Sequence, residues 1–392
     1  MGLNNQRIMK IISILSLSIT MFVFMLNYQG QGTNCPHKEE PVFNNLLKQD
    51  AGEIQACSAI IQGDMNGVDK EAFEKIQATR VILSQRNQGL SILHQRQRIS
   101  DCFYQKEEKY FPITYSTVIH EKIEMFERLL RAIYTPHNVY CVHVDQKSPE
   151  IFKQAVGAIA SCLTNVFVAS KLGSVIYASW SRVQAYIICM QDLLKSPVQW
   201  KYLLESEDAK GNNWRWQYHH NVMHVVTQTD VKKSPSPIKS PVFSGNAYFV
   251  VSREFVEHIF KSKIIQNLIE WEKDTYSPDE HMWATLQRMP SVPGSNPPNI
   301  KYQQSDMNTI ARLVKWSYLE GDLNSGAPYP PCIGTHRRAV CVYGAGDLKW
   351  IVQQHHLLAK EFDQEVDDIA IKCMEAFLRY KAIYGRTLLI KI

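Results

Sequence analysis

From Phe111 onward the chain alternates between two patterns. Runs rich in β-branched and aromatic residues are followed repeatedly by segments whose apolar residues recur at helical spacing. Residues 113–119, 139–144, 165–168 and 200–204 read as strands, and residues 121–134, 149–162 and 180–194 as the helices between them. Parallel strands need crossover connections and helices supply them. The expected fold is therefore α/β, a mostly parallel sheet with helices on both faces. Ligands of such sheets bind beyond the carboxyl ends of the strands. That rule sets His120, the segment Asp145-Gln146-Lys147 and Tyr177 along one rim. Read alone, Asp145 is either a cap at a helix start or a rim ligand, and His120 either a satisfied loop histidine or a rim ligand. No G-x-G-x-x-G or P-loop pattern occurs, which argues against a dinucleotide or triphosphate site.

Further along, residues 231–241 are a Lys/Ser/Pro-rich loop. Residues 242–251 read as a strand in which Gly245 marks a bulge or a close backbone approach. Residues 312–318 read as a strand carrying Trp316 and Tyr318, rings that either pack in a core or stack on sugar faces at a cleft edge. In Asp274-Thr-Tyr-Ser-Pro-Asp-Glu280, residues 277–280 open a helix that continues to Arg288. Glu280 is then either the N3 carboxylate of a capping box or a carboxylate held at a helix start as a general base. Between Cys332 and Cys341 lies a short loop with Arg337 and Arg338, either a solvated basic turn or a phosphate site.

A net charge of +5 over 392 residues is too mild for a nucleic-acid surface. The nine cysteines are scattered and form no C-x-x-C pair, so disulfides in an oxidising lumen are expected, with one thiol left over. Arg7 and Lys10 precede an uncharged run, 11–28, that is either a cleaved signal peptide or a signal anchor with its basic side in the cytosol. With an anchor, residues 1–10 form a cytosolic tail, 29–110 a stem with peripheral helices, and 111–392 the lumenal domain. Cys35, beside the membrane, is either free or links two chains as a homodimer. The sequence has no Asn-x-Ser/Thr acceptor.

The wording of several segments is more specific. DTYSPDEHMWATLQR, YSTVIHEKIEMFERLLRAIY, YCVHVDQKSPE, NVFVASKL, YASWSRVQA and the near-terminal RYKAIYG resemble the β1,6-N-acetylglucosaminyltransferases that branch O-linked glycans (glycosyltransferase family 14), the mucin-type core 2/core 4 members above all. The resemblance runs over about residues 101–385. It implies a GT-A-like, disulfide-tied α/β domain behind a single N-terminal transmembrane helix, in a type II Golgi membrane protein acting on O-glycosylated glycoproteins. It implies UDP-GlcNAc as donor, with Val118, Ile119 and His120 bordering the uridine. Asp145, Gln146 and Lys147 would hold the ribose and uracil side, with Tyr177 beside them. By the same resemblance Glu280 is the catalytic base, while Glu205, Arg215, Trp316 and Tyr318 hold the acceptor. Cysteine pairs 57–373, 102–162, 141–189 and 332–341 are implied too.

Most GT-A enzymes hold the diphosphate through a cation on an Asp-x-Asp motif, and this sequence has none. The resemblance therefore implies no metal cofactor, the diphosphate charge being met by Arg338 with Lys360. Three departures stand out. After Trp200-Lys-Tyr-Leu, a family block of about thirty residues is missing near 203–204. Asn212 replaces a family lysine. The family's phosphate-binding lysine position is Glu361, with Lys360 one place before it. The expectation is a branching transferase, or a silent lumenal homologue that binds nucleotide sugar or glycan without turnover.

Overall fold

The computed structural model describes residues 13–16, 22–23, 51–63, 110–205, 214–245, 247–297, 306–308 and 311–384. They form two compact units interleaved in sequence. One comprises Met1–Ser18, Tyr110–Ile123 and Pro136–Ala311, the other Ile19–Lys109, Glu124–Thr135 and Arg312–Ile392.

The first unit is built on a six-stranded sheet in the order Val166–Val168, Val139–Val144, Thr114–Ile119, Ser13–Ser16, Tyr202–Glu205, Phe249–Ser252. All neighbours are parallel except the last pair, which is antiparallel. Thr114 to Ile119 pair in register with Val139 to Val144, and every residue of both strands is buried. Burial on both faces explains why these segments read as continuous rather than alternating apolar runs. The Tyr115 and Tyr140 rings stack across the pair at 4.9 Å. The helices Glu150–Ser161 and Trp180–Lys195 fall within two residues of their expected bounds. Trp180–Lys195 packs on Thr114–Ile119 and Val139–Val144, its start capped by the Ser179 hydroxyl, which accepts from Ser181 N–H.

The second unit pairs Arg312–Val314 parallel to Leu358–Lys360, which is antiparallel to Phe22–Val23. A hairpin, Thr335–Arg337 with Val340–Val342, lies in the same unit. Its helices Ala51–Gln62 and Gln364–Tyr384 are joined by the Cys57–Cys373 disulfide. From the helix Ile123–Ile133, Arg128 donates to Glu375 at 3.0 and 2.8 Å and to Asp368 at 2.5 Å. Although burial alone would raise it, these bonds from Arg128, and those from Lys372, hold the Asp368 carboxyl below its ordinary range.

Several expectations change. The strand read over 242–251 shrinks to Phe249–Ser252, because Phe243 N–H turns to Thr285 Oγ1 and Gly245 N–H to the Glu280 carbonyl. The loop read over 231–241 starts late, since Thr227–Lys232 pairs antiparallel with Tyr218–Asn221. The strand read over 312–318 stops at Val314: Lys315 is drawn inward to Asp347, and Trp316 N–H donates to Tyr329 Oη. Tyr318 therefore lies outside any strand.

Within 11–28 the described residues are the strands Ser13–Ser16 and Phe22–Val23 rather than a membrane-crossing helix. No helix among the described residues is long and apolar enough to cross a membrane. Sheet pairing meets the same demand that a spanning helix meets internally, a partner for each backbone N–H and C=O.

Two of the implied cysteine pairs are bonded, Cys57–Cys373 and Cys332–Cys341. Cys141 and Cys189 are buried thiols with sulfurs 2.7 Å apart, side by side but unbonded. The Cys162 thiol donates to the Ala158 carbonyl. Its implied partner Cys102, and Cys35, lie outside the described residues.

Candidate active-site groups in each unit

In the first unit, the chain leaves the carboxyl ends of Thr114–Ile119 and Val139–Val144 into a connected rim. The Ser148 hydroxyl donates to the His120 carbonyl at 2.7 Å, Gln146 N–H to the Gly173 carbonyl at 3.1 Å, and Lys147 Nζ to the Val175 carbonyl at 2.7 Å. Asp145 is buried; its Oδ1 accepts Lys147 N–H within the turn, and it is not a helix-start cap, because the helix Glu150–Ser161 begins after Pro149 with no side-chain cap. Beneath the rim, burial lowers the His143 pKa, which suits a neutral ring whose Nε2 accepts Gly173 N–H at 3.2 Å. Val118 and Ile119 are buried in the sheet, leaving only their backbone for a rim ligand. His120 and Tyr177 are exposed, Tyr177 at 68%. The rim expected from topology thus assembles around His120, Asp145–Lys147 and Tyr177.

The segment carrying Glu280 meets the same rim through its backbone. Ser277 N–H donates to the Ala178 carbonyl at 2.8 Å, one residue beyond Tyr177. The capping box expected at 277–280 does not form. Ser277 sits at φ +48° in the left-handed region, and its side chain makes no cap bond. Pro278–Glu280 is a single 3-10 turn and Met282–Arg288 a separate helix, broken at His281. Glu280, half-buried, is therefore not spent on capping. Its neighbours are anchored inward. Asp279 is fully buried against Arg182, Nη1 to Oδ2 at 3.1 Å, and His281 is fully buried against Glu272 at 3.2 Å.

Glu205 ends the strand Tyr202–Glu205, opposite Phe249, and Arg215 lies in the short helix Trp214–Gln217; both side chains lie outside the described residues. Asp274, which begins the Glu280 segment, binds His219 Nδ1 and the Lys233 ammonium, and Trp271 Nε1 donates to the Ser234 carbonyl at 2.9 Å. These groups line a cavity of about 460 Å³ that sequence reasoning did not foresee.

In the second unit, Arg338 and Ala339 form the two-residue turn of the Thr335–Arg337/Val340–Val342 hairpin, at φ +49° and +65°. Positive φ at both positions is what a tight hairpin turn demands, and non-glycine residues there carry strain of about 1–2 kcal/mol each. Arg338 is thereby presented on an exposed tip. Arg337 points elsewhere, Nη1 to Glu361 Oε1 and Nη2 to Asp363 Oδ2, both at 2.6 Å. Burial raises the Glu361 pKa, against the pull of Lys360 and Arg337. The carboxylate at the family's lysine position is thus matched by Arg337 and is no bare anion beside Lys360.

The hairpin's root is held by a residue no motif announced. Asp347, fully buried, accepts from Lys315 Nζ at 2.7 Å and from the N–H groups of Ile333, Gly334 and Gly344. Trp316 and Tyr318 stack at 5.8 Å, with Tyr318 69% exposed. Two sets among the described residues have metal-ligand spacing, Glu320/Cys332/His336 and Cys332/Cys341/Asp347. Both need Cys332, whose sulfur is bonded to Cys341, and the second needs an Asp347 already occupied. Neither donor set fits a cation while that bridge stands.

The sequence pattern of the Core-2/I-Branching enzyme family matches residues 113–206 and 203–352. The two stretches meet at 203–206, where the family block is missing from this sequence. Bovine herpesvirus 4 "Beta-1,3-galactosyl-O-glycosyl-glycoprotein beta-1,6-N-acetylglucosaminyltransferase" is 48% identical over 415 residues, covering 95% of this chain and 93% of that relative. The Homo sapiens protein of that name with the suffix 3 is 49% identical over 389 residues, 88% of each. Its Mus musculus counterpart is 49% identical over 383 residues, covering 87% and 86%.

Proposed function

The chain belongs to the core-2/I-branching enzyme family, and we propose that Glu280 is the general base of its transfer reaction. That reaction is β1,6-N-acetylglucosaminyl transfer to the O-glycan of a β1,3-galactosyl-O-glycosyl-glycoprotein. UDP-GlcNAc is the donor and Galβ1-3GalNAc the acceptor. The GalNAc 6-hydroxyl attacks the donor's anomeric carbon as its bond to UDP breaks, with inversion, and the hydroxyl proton passes to Glu280. The observation that carries this reading is the turn itself: a carboxylate released from capping, on a segment whose backbone bonds the chain next to Tyr177 at Ala178, with both flanking residues tied inward.

In this reading His120, Asp145, Gln146, Lys147 and Tyr177 border the nucleoside, with Val118 and Ile119 contributing backbone. Arg338, aided by Lys360, meets the charge that develops on departing UDP, the task an Asp-x-Asp-bound cation performs in other GT-A enzymes. Glu205, Arg215, Trp316 and Tyr318 hold the acceptor sugars. UDP release by the full chain should need the acceptor and should change less than about twofold in EDTA, a shift too small to mark a lost catalytic group. Release abolished by EDTA and restored by a divalent cation would remove the metal-independent role of Arg338. The break at 203–206 favours one rival, a silent homologue, for which UDP binds and no acceptor-dependent release is seen.

The run 11–28 serves as the signal anchor of a single-pass type II Golgi enzyme, with Cys35 linking two chains. Ser13–Ser16 cannot both pair in the sheet and cross a bilayer, so anchoring withdraws it from the sheet. The expressed chain should stay in the membrane pellet after alkaline extraction and run as a dimer without reductant. Release into the supernatant rules out the anchor, and a monomer under both conditions rules out the Cys35 link.

A further inference from the structure

We infer that Arg182 and His281 are positioning residues for Glu280, clamping the turn that carries it from both sides. The inference rests on the reading of Glu280 as base.

Three consecutive residues alternate inward, outward and inward. Asp279 and His281 are fully buried, while Glu280 between them is half-exposed. On the N-terminal side, Asp279 Oδ2 lies 3.1 Å from Arg182 Nη1, on the first turn of Trp180–Lys195. Arg182 is itself oriented by Nε donating to Tyr186 Oη at 3.2 Å, one helical turn on. Neither Asp279 oxygen accepts a well-aligned hydrogen bond among the described residues, so the ion-pair contact with the Arg182 guanidinium is what answers this buried charge.

On the C-terminal side, His281 Nδ1 faces Glu272 Oε1 at 3.2 Å and Nε2 faces the Tyr276 carbonyl at 3.3 Å. Both contacts of the ring are therefore to oxygen acceptors. Glu272 is fixed in turn by the Thr275 hydroxyl at 2.6 Å. The backbone completes the clamp: Ser277 N–H to the Ala178 carbonyl, and Gly245 N–H to the Glu280 carbonyl at 2.7 Å.

Stability alone does not account for this arrangement. A buried ion pair is often no better than a well-packed apolar pair of the same volume, and its best-attested use is to fix one geometry. Here two buried polar pairs flank a single outward carboxylate on a turn of three residues, Pro278–Glu280, too short to be rigid by itself. Misplacing a catalytic group by about 1 Å can cost about 100-fold in rate. The clamp supplies what the missing capping box would have supplied.

The test uses the full chain with kcat, both KM values, thermal melting and UDP binding as readouts. Arg182→Met with Asp279→Asn removes both charges together and leaves no unpaired buried ion. His281→Gln and Arg182→Lys are made separately, the lysine keeping the charge without the planar fork. Each variant should melt near wild type, keep its donor KM, and lose about 10- to 100-fold in kcat, least for Arg182→Lys. In a Glu280→Gln background the same changes should cost less than about twofold more, because groups acting as one unit are non-additive. Full kcat in the charge-free double variant, with Glu280→Gln inactive, overturns the clamp and spares the base. Additive losses in the Glu280→Gln background overturn it too, showing a general structural effect. Should the double variant not fold, Arg182→Lys decides: a folded protein with wild-type kcat overturns the clamp. An active Glu280→Gln protein overturns the base reading itself.

Discussion

Glu280→Gln should lower kcat by about 10²–10⁴-fold, the range a positioned general base contributes. Glutamine keeps the shape and the hydrogen-bonding capacity of the side chain but cannot take the acceptor's proton. The contrast with a structural role is sharp. In a capping box, Gln serves at N3 nearly as well as Glu, so the substitution would touch neither rate nor melting temperature. The box is absent here, with Ser277 in a left-handed conformation and its hydroxyl unused as a cap. Donor KM should hold, since the proton is lost only as the transition state forms. Single-turnover transfer with saturating donor and acceptor measures the step directly. A kcat within about threefold of wild type would return Glu280 to the status of a surface carboxylate.

Lys315→Met should cost about 3–5 kcal/mol of stability, the penalty for leaving one member of a buried ion pair without its partner. Both side chains are almost completely inaccessible, Lys315 at 1% and Asp347 at 0%, so solvent cannot screen the orphaned carboxylate. The damage should extend to function. Asp347 also gathers the N–H groups of Ile333, Gly334 and Gly344, the backbone that roots the loop bridged by Cys332–Cys341. A carboxylate that must move toward water or protonate loosens that root, and with it the tip bearing Arg338. Urea unfolding should show the lost stability, and UDP binding below the new midpoint should be weaker than wild type. Unchanged stability would mean that Asp347 finds another partner. Lost stability with unchanged UDP affinity would separate the loop from the donor.

How far the site could be foreseen follows from the range over which each signal acts. The rim at His120, Asp145–Lys147 and Tyr177 came from strand–helix alternation and one topological rule, because crossovers bring successive strand ends to a common edge. The Glu280 turn did not. Ser-Pro-Asp-Glu has every local mark of a capping box, yet Asp279 is pulled inward by Arg182, distant in sequence, and His281 by Glu272 at the end of the preceding helix. Arg182 sits within a buried helical stretch, and a charge inside such a stretch was the available hint that a partner waits elsewhere. Lys315 carried the same hint inside what read as a strand, and its pairing with Asp347 is what ends that strand at Val314.

By itself the order of residues determined the α/β alternation, the family and the break near 203–204. Periodicity and motif wording are local properties, and they survive in one dimension. Only the tertiary structure decided that Glu280 leaves its cap, that Arg337 answers Glu361 while Arg338 occupies the strained turn, and that Cys141 lies against Cys189. Those outcomes depend on which buried charges and sulfurs meet, and such meetings are settled by packing between segments far apart in the chain.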